Sequence, residues 1–172
     1  GQMSAMLRDI EQQLPKSEAI AYHFTDLDAA RVILDQSQGL RASTVGQLGG
    51  GVSVCLASPT VLGWDKHGGE SMTFCQRVGD ELWGSKAHEV LPGVPPAGAH
   101  ADYGKFHNKL EVLLLVRIPA AQNRDNSRIV PGRDNVYIID NRDCEPGIGT
   151  DTARYYSNLN IERCLVLKSP AT

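Results

Sequence analysis

Five histidines and four cysteines are spread over 172 residues, and their spacing limits what chemistry they can do. His67, His88, His100 and His107 show neither H-E-x-x-H nor H-x₃₋₅-H spacing, so no metal centre is expected. Cys55, Cys75, Cys144 and Cys164 form no C-x-x-C pair, and all four read as reduced thiols. His23 is placed differently. It lies in the apolar run Ala19–Phe24, just before a T-x-x-D pattern, Thr25–Asp28, that can open a helix. There the ring is either a satisfied core histidine or a group at a cleft mouth that donates to a ligand hydroxyl. Cys55 with His23 would make a nucleophile and base, although thiols inside strands are usually inert. Trp64, Trp83, Tyr155 and Tyr156 can stack on a flat ligand or simply pack.

The second feature with chemical potential is Gly46-Gln47-Leu48-Gly49-Gly50-Gly51. It lacks G-x-G-x-x-G spacing and leads into an apolar run rather than a helix, so it is no dinucleotide fingerprint. No Gly-Lys-Ser/Thr follows, which excludes a P-loop. A flexible hairpin turn and a loop against which a flat ligand lies both remain open.

The elements that must position these residues follow from periodicity. Met6, Ile10 and Leu14, with Met3 and Leu7, mark an amphipathic helix ended by Pro15. Ala19–Phe24 reads as a strand. The helix after it carries Leu27, Ala30, Ile33 and Leu34 on one face and stops at Gly39. Leu40–Ser43 reads as extended and Val52–Leu56 as a strand, with a helical turn over Pro59–Trp64. Alternation of Met72 and Phe74 predicts a strand over Ser71–Val78. Gly79–His107, with Pro92, Pro95 and Pro96, reads as a long loop or insertion. Leu110–Ile118 is almost continuously apolar, broken only by Glu111 and Arg117, hence central in its sheet. Ile129–Val130, Val136–Ile139 and Ile161–Leu167 are further strands.

Several of these segments resemble one family. Tyr22-His23-Phe24-Thr25-Asp26, Ala29-Ala30 with Ile33-Leu34, Gly39-Leu40-Arg41-Ala42-Ser43 and Gly49-Gly50-Gly51-Val52-Ser53-Val54 are similar to the front half of an ADP-ribosyltransferase domain. The subgroup is that of diphtheria toxin and the poly(ADP-ribose) polymerases. Leu110–Ile118, Asn135–Asp140 and Leu159–Lys168 resemble its later strands, so the likeness spans about residues 19–168. It implies NAD as substrate or ligand, held by His23, Thr25, Arg41, Ser43, Gly50, Gly51 and Ser53. Two of the family's three site positions differ: Ser53 stands for the stacking tyrosine and Val136 for the catalytic glutamate. A carboxylate that stabilises a developing oxocarbenium ion must then come from elsewhere. Glu111, at the start of the central strand, is preferred over Glu162 and is taken with His23 as catalytic.

The resulting expectation is an α+β fold with a split, twisted mixed β-sheet and small peripheral helices. Residues 1–18 form an N-terminal helix after a tag remnant at Gly1–Gln2. Residues 19–172 form one domain with a loop insertion near 79–107. The function implied is cleavage of the nicotinamide–ribose bond, with ADP-ribose passed to a protein or other macromolecule or to water. The alternative is a catalytically inactive relative that binds a nucleotide, NAD or ADP-ribose, or a protein. A net charge of −3 argues against nucleic acid as partner. The longest apolar run, Val112–Val116, is five residues, far short of a membrane span of roughly 20. With no apolar leader in Gly1–Ile10, an intracellular site, cytoplasmic or nuclear, is expected.

Overall fold

The nearly continuous apolarity of Leu110–Ile118 demands cover on both sides, and in the computed structural model both sides are covered. The structure describes residues 1–35, 39–64, 72–82, 110–147 and 153–167. Strand β4 (Val112–Pro119) lies inside a six-stranded sheet, and Leu113 to Val116 are fully buried. β1 (Glu18–Thr25) pairs with it along its whole length, from Glu18↔Pro119 to Thr25↔Val112. The other members are β3 (Val52–Cys55), β5 (Ile129–Val130), β6 (Arg133–Ile139) and β9 (Ile161–Val166). Their order is β5-β6-β3-β1-β4-β9. Three short strands, β2 (Leu40–Ala42), β7 (Glu145–Pro146) and β8 (Arg154–Tyr156), form a second sheet in the order β2-β8-β7.

The protein is therefore α+β, with a twisted sheet, a smaller sheet beside it and few helices. The expectation of a mixed sheet is corrected: every pairing between described strands is antiparallel. The reason is topological. β3 and β4 run in the same direction and could have paired in parallel, but β1 is inserted between them.

Pleating sorts the side chains of the large sheet onto two faces. Ile20, Tyr22, Phe24, Cys55, Leu113 and Leu115 face helices α1 (Gln2–Gln13) and α3 (Met72–Leu82). Ala21, Val52, Val54, Leu114 and Val116 face α2 (Leu27–Asp35) and the small sheet, whose Leu40, Ala42 and Tyr156 join that core. In α1, Met3, Leu7 and Ile10 are the buried residues, at the spacing an amphipathic helix requires.

Two local readings change. Ser71–Val78 is not a strand, because the run belongs to α3 from Met72 onward. Phe74, Cys75 and Val78, all fully buried, fall on one side of a 3.6-residue period, which outweighs the alternation of Met72 and Phe74. The helix also takes in Gly79 to Leu82; the rest of the proposed insertion lies outside the described residues. The cap of α2 is Asp26 rather than Thr25. Asp26 Oδ1 accepts the Ala29 N–H at 2.7 Å, and Thr25 is still the last residue of β1.

Leu115→Ala should lower stability by about 2–5 kcal/mol, since the site is sealed on both sides and cannot collapse. Urea unfolding of the two proteins measures this; a change under 1 kcal/mol would contradict a central position for β4.

Candidate functional site at the junction of the two sheets

The large and small sheets meet where β2 ends and β3 begins. Ser43 and Gly51 form an isolated antiparallel bridge, each backbone N–H donating to the other's carbonyl at 2.9 Å. This contact accounts for the glycines. A Cβ on Gly51 (φ +136°) would stand 2.0 Å from the Ile139 carbonyl oxygen, and one on Gly50 (φ +96°) 2.4 Å from the Ser43 carbonyl oxygen. Both are therefore required by backbone packing against β6 and β2. Gly49 (φ +82°) has open space around its Cβ position. Leu48, inside the loop, has φ +54°, the only positive value on a non-glycine among the described residues. That conformation costs roughly 1–2 kcal/mol, so neighbouring contacts must hold it.

Those contacts come from Arg128, which no sequence motif singled out. Its Nε donates to the Ile138 carbonyl at 3.0 Å, Nη1 to Leu48 at 2.8 Å and Nη2 to Gly50 at 2.8 Å. Asp140 Oδ2 lies 3.8 Å from Nη1, and both side chains are mostly buried, 12% and 17% exposed. Asp140 also accepts from Arg142 Nη2 at 2.8 Å and from the Arg142 backbone N–H at 2.9 Å. Hydrogen bonds from Arg142, side chain first, and the Arg128 charge hold the Asp140 carboxyl down at about 2. Asn141 Nδ2 donates to the Ser43 carbonyl at 3.2 Å.

Beside this junction opens a cleft of about 400 Å³ lined by Arg41, Ala42, Ser43, Thr44, Val45 and Ala153. Its size falls in the usual range for small-molecule sites, about 300–1,000 Å³. Arg41 is exposed on β2 opposite Tyr155, and Ser43 Oγ donates to the Val45 carbonyl at 2.8 Å. Arg41, Ser43, Gly50 and Gly51 are thus brought together by the fold. Gly50, Gly51, His23, Thr25 and Ser53 are not in the cleft lining, although β1 and β3 are neighbours.

His23 is half-buried, with Nδ1 2.8 Å from the Ser53 carbonyl oxygen. A carbonyl only accepts, so Nδ1 carries the proton in this contact. The side chains of His23 and Ser53 nevertheless belong to opposite faces. His23 alternates with Tyr22 and Phe24 on the α1/α3 side; Ser53 shares that side with its partner Ile138. Val136, paired with Cys55, is on the same side and 1% exposed. Thr25 is buried at the end of β1.

Glu111 stands one residue before β4, half-buried, its carbonyl accepting from the Leu167 N–H at 2.8 Å. His23 pairs with Leu114, three positions along. At about 3.3 Å per residue, Glu111 is roughly 10 Å from His23 along the sheet, and by alternation with Val112 it falls on the side of Leu113 and Leu115, opposite His23. Glu162 instead faces Arg117, 3.8 Å from its Nε.

The remaining candidates are explained by packing. Cys55 is fully buried, its Sγ donates to the Ala57 carbonyl at 3.5 Å, and burial pushes its thiol up to about 12. It also faces away from His23, so the nucleophile–base pair is excluded. All four cysteines are free. Trp64 packs edge-on against Phe74 with ring centroids 5.5 Å apart, and the Tyr156 hydroxyl donates to the Arg117 carbonyl. Trp83 and His67, His88, His100 and His107 lie outside the described residues. Among the described residues no three metal-ligating side chains converge, and no helix is long and apolar enough to cross a membrane.

No protein-family model, curated protein or solved structure matches the chain. The likeness to ADP-ribosyltransferases accordingly rests on the sequence segments alone.

Two outcomes follow from this geometry. Gly51→Ala should unfold the junction and cost several-fold more stability than Gly49→Ala, for which only the positive φ is penalised, by roughly 1 kcal/mol. Equal urea midpoints for the two variants would rule out the close approach to Ile139. The second concerns acid. The folded pKa of Asp140 lies below its ordinary value near 3.9, so its contribution is complete above that value. It is lost as pH falls from about 4 to about 2. Asp140→Asn should therefore differ from wild type less at pH 2.5 than at pH 6 in thermal melts.

Proposed function

We propose that this chain is an ADP-ribosyltransferase-like domain that holds NAD by its ADP-ribose portion. The observation that carries the reading is the convergence at the sheet junction. Arg41 and Ser43 line a cleft directly bridged to Gly50–Gly51, and β1 brings His23 to the carbonyl of Ser53 beyond it. These are the segments in which the sequence resembles the family. An exposed guanidinium at the cleft can take a pyrophosphate in bidentate fashion. The resemblance assigns the ribose to His23, whose imidazole is a hydrogen-bonding group of the right kind.

Binding is better supported than turnover. Ser53 has no ring to stack on nicotinamide, and the third family position is a buried valine. Transfer of ADP-ribose, or hydrolysis of NAD, would need Glu111 as the carboxylate. It lies roughly 10 Å from His23 along the sheet and alternates onto the opposite face, which weighs further for binding over turnover.

Calorimetric titration with NAD and with ADP-ribose, together with a nicotinamide-release assay, tests this. Binding of both ligands is expected, weakened at least tenfold by Arg41→Ala and by His23→Ala. If nicotinamide is released, Glu111→Gln should abolish release and leave NAD affinity nearly intact; release at the wild-type rate would dismiss Glu111. Wild-type protein that binds neither ligand would falsify the reading.

A further inference from the structure

We infer that Arg128 is the positioning residue of the candidate site, setting the cleft through the glycine loop without touching a ligand. The inference rests on the nucleotide reading above and goes beyond it, because Arg128 belongs to none of the segments that carry the family likeness. Its guanidinium places three nitrogens on three backbone carbonyls: Ile138 on β6 and Leu48 and Gly50 in the loop. One planar group thus ties the loop to the sheet at two points. One of them is Leu48, the loop's left-handed leucine. Buried charge needs a partner, and Asp140 supplies it at 3.8 Å. Asp140 is itself fixed by Arg142.

The path from Arg128 to the cleft is short and made of hydrogen bonds. Gly50 is held by Arg128; Gly51, the next residue, exchanges both backbone bonds with Ser43; Ser43 and its neighbours Thr44 and Val45 line the cleft. Arg128 is absent from that lining. Loss of the clamp therefore moves the cleft wall on the Ser43 side and leaves the chemistry of Arg41 untouched. Lysine cannot replace it, since a compact ammonium lacks the rigid fork that serves several carbonyls at once.

The experiment compares wild type, Arg128→Lys and Ile10→Ala, the last a core truncation on α1, on the far face of the large sheet. Amide hydrogen exchange and ADP-ribose titration are read for each. Arg128→Lys should speed exchange at Leu48–Gly51 at least tenfold relative to β1 and β4 and weaken ADP-ribose at least tenfold. Ile10→Ala should lower the melting temperature yet keep wild-type affinity. If Arg128→Lys does not fold, Asp140→Asn should show the same two changes in smaller measure. Unchanged loop exchange overturns the clamp. A loosened loop with wild-type affinity, or equal weakening by Ile10→Ala, overturns the positioning role. Wild-type protein that binds no ADP-ribose overturns the nucleotide reading and the positioning role with it, and the exchange data then show separately whether Arg128 holds the loop.

Discussion

Two hydrogen-bonded sheets can share a strand-to-strand joint only where the chain passes between them with no side chain in the way. Here that joint is the Ser43–Gly51 bridge. Gly51 runs so close to β6 that its Cβ position is 2.0 Å from a carbonyl oxygen, and Gly50 is nearly as close to Ser43. The close approach brings backbone carbonyls of the loop inward, where each needs a donor. Arg128 supplies donors to two of them and to a third on β6. The glycines and the arginine are thus one device: the first allow the approach, and the second satisfies what it buries.

The same geometry shapes the candidate site. The cleft wall is the segment that leaves β2 for the joint, so Arg41 and Ser43 are set by the small sheet and by the loop together. His23 comes from the opposite direction, along β1, and is fixed by the Ser53 carbonyl. The buried position of Val136 has a packing explanation. Val136 pairs with Cys55 on the face packed towards α3, and a carboxylate there would have to leave water without a partner.

Several parts of this arrangement could be read before any coordinates. The unbroken apolar run at Val112–Val116 required a central strand, and β4 is one. The i, i+4, i+7 placement of Met3, Leu7 and Ile10 required a helix with one buried side. The glycine cluster announced backbone constraint, though which neighbour imposed it was not legible. The eight residues Ser71–Val78 fit both periods, and only the packing of Phe74, Cys75 and Val78 against the sheet chooses the helix. Thr25 and Asp26 are both good caps; pairing of Thr25 with Val112 keeps it in the strand and leaves the cap to Asp26.

The sequence by itself determined much of what is local: the amphipathic first helix, most of the extended segments, which strand must be central, and that the thiols form no local motif. The tertiary structure decided everything that depends on long-range pairing. It inserted β1 between β3 and β4 and so made the sheet antiparallel. It put His23 and Ser53 on opposite faces by register. It recruited Arg128, 80 residues from Leu48, to hold the loop. Periodicity and propensity act over a few residues, whereas register and side-chain-to-carbonyl contacts between distant segments are settled only when the sheets close on each other.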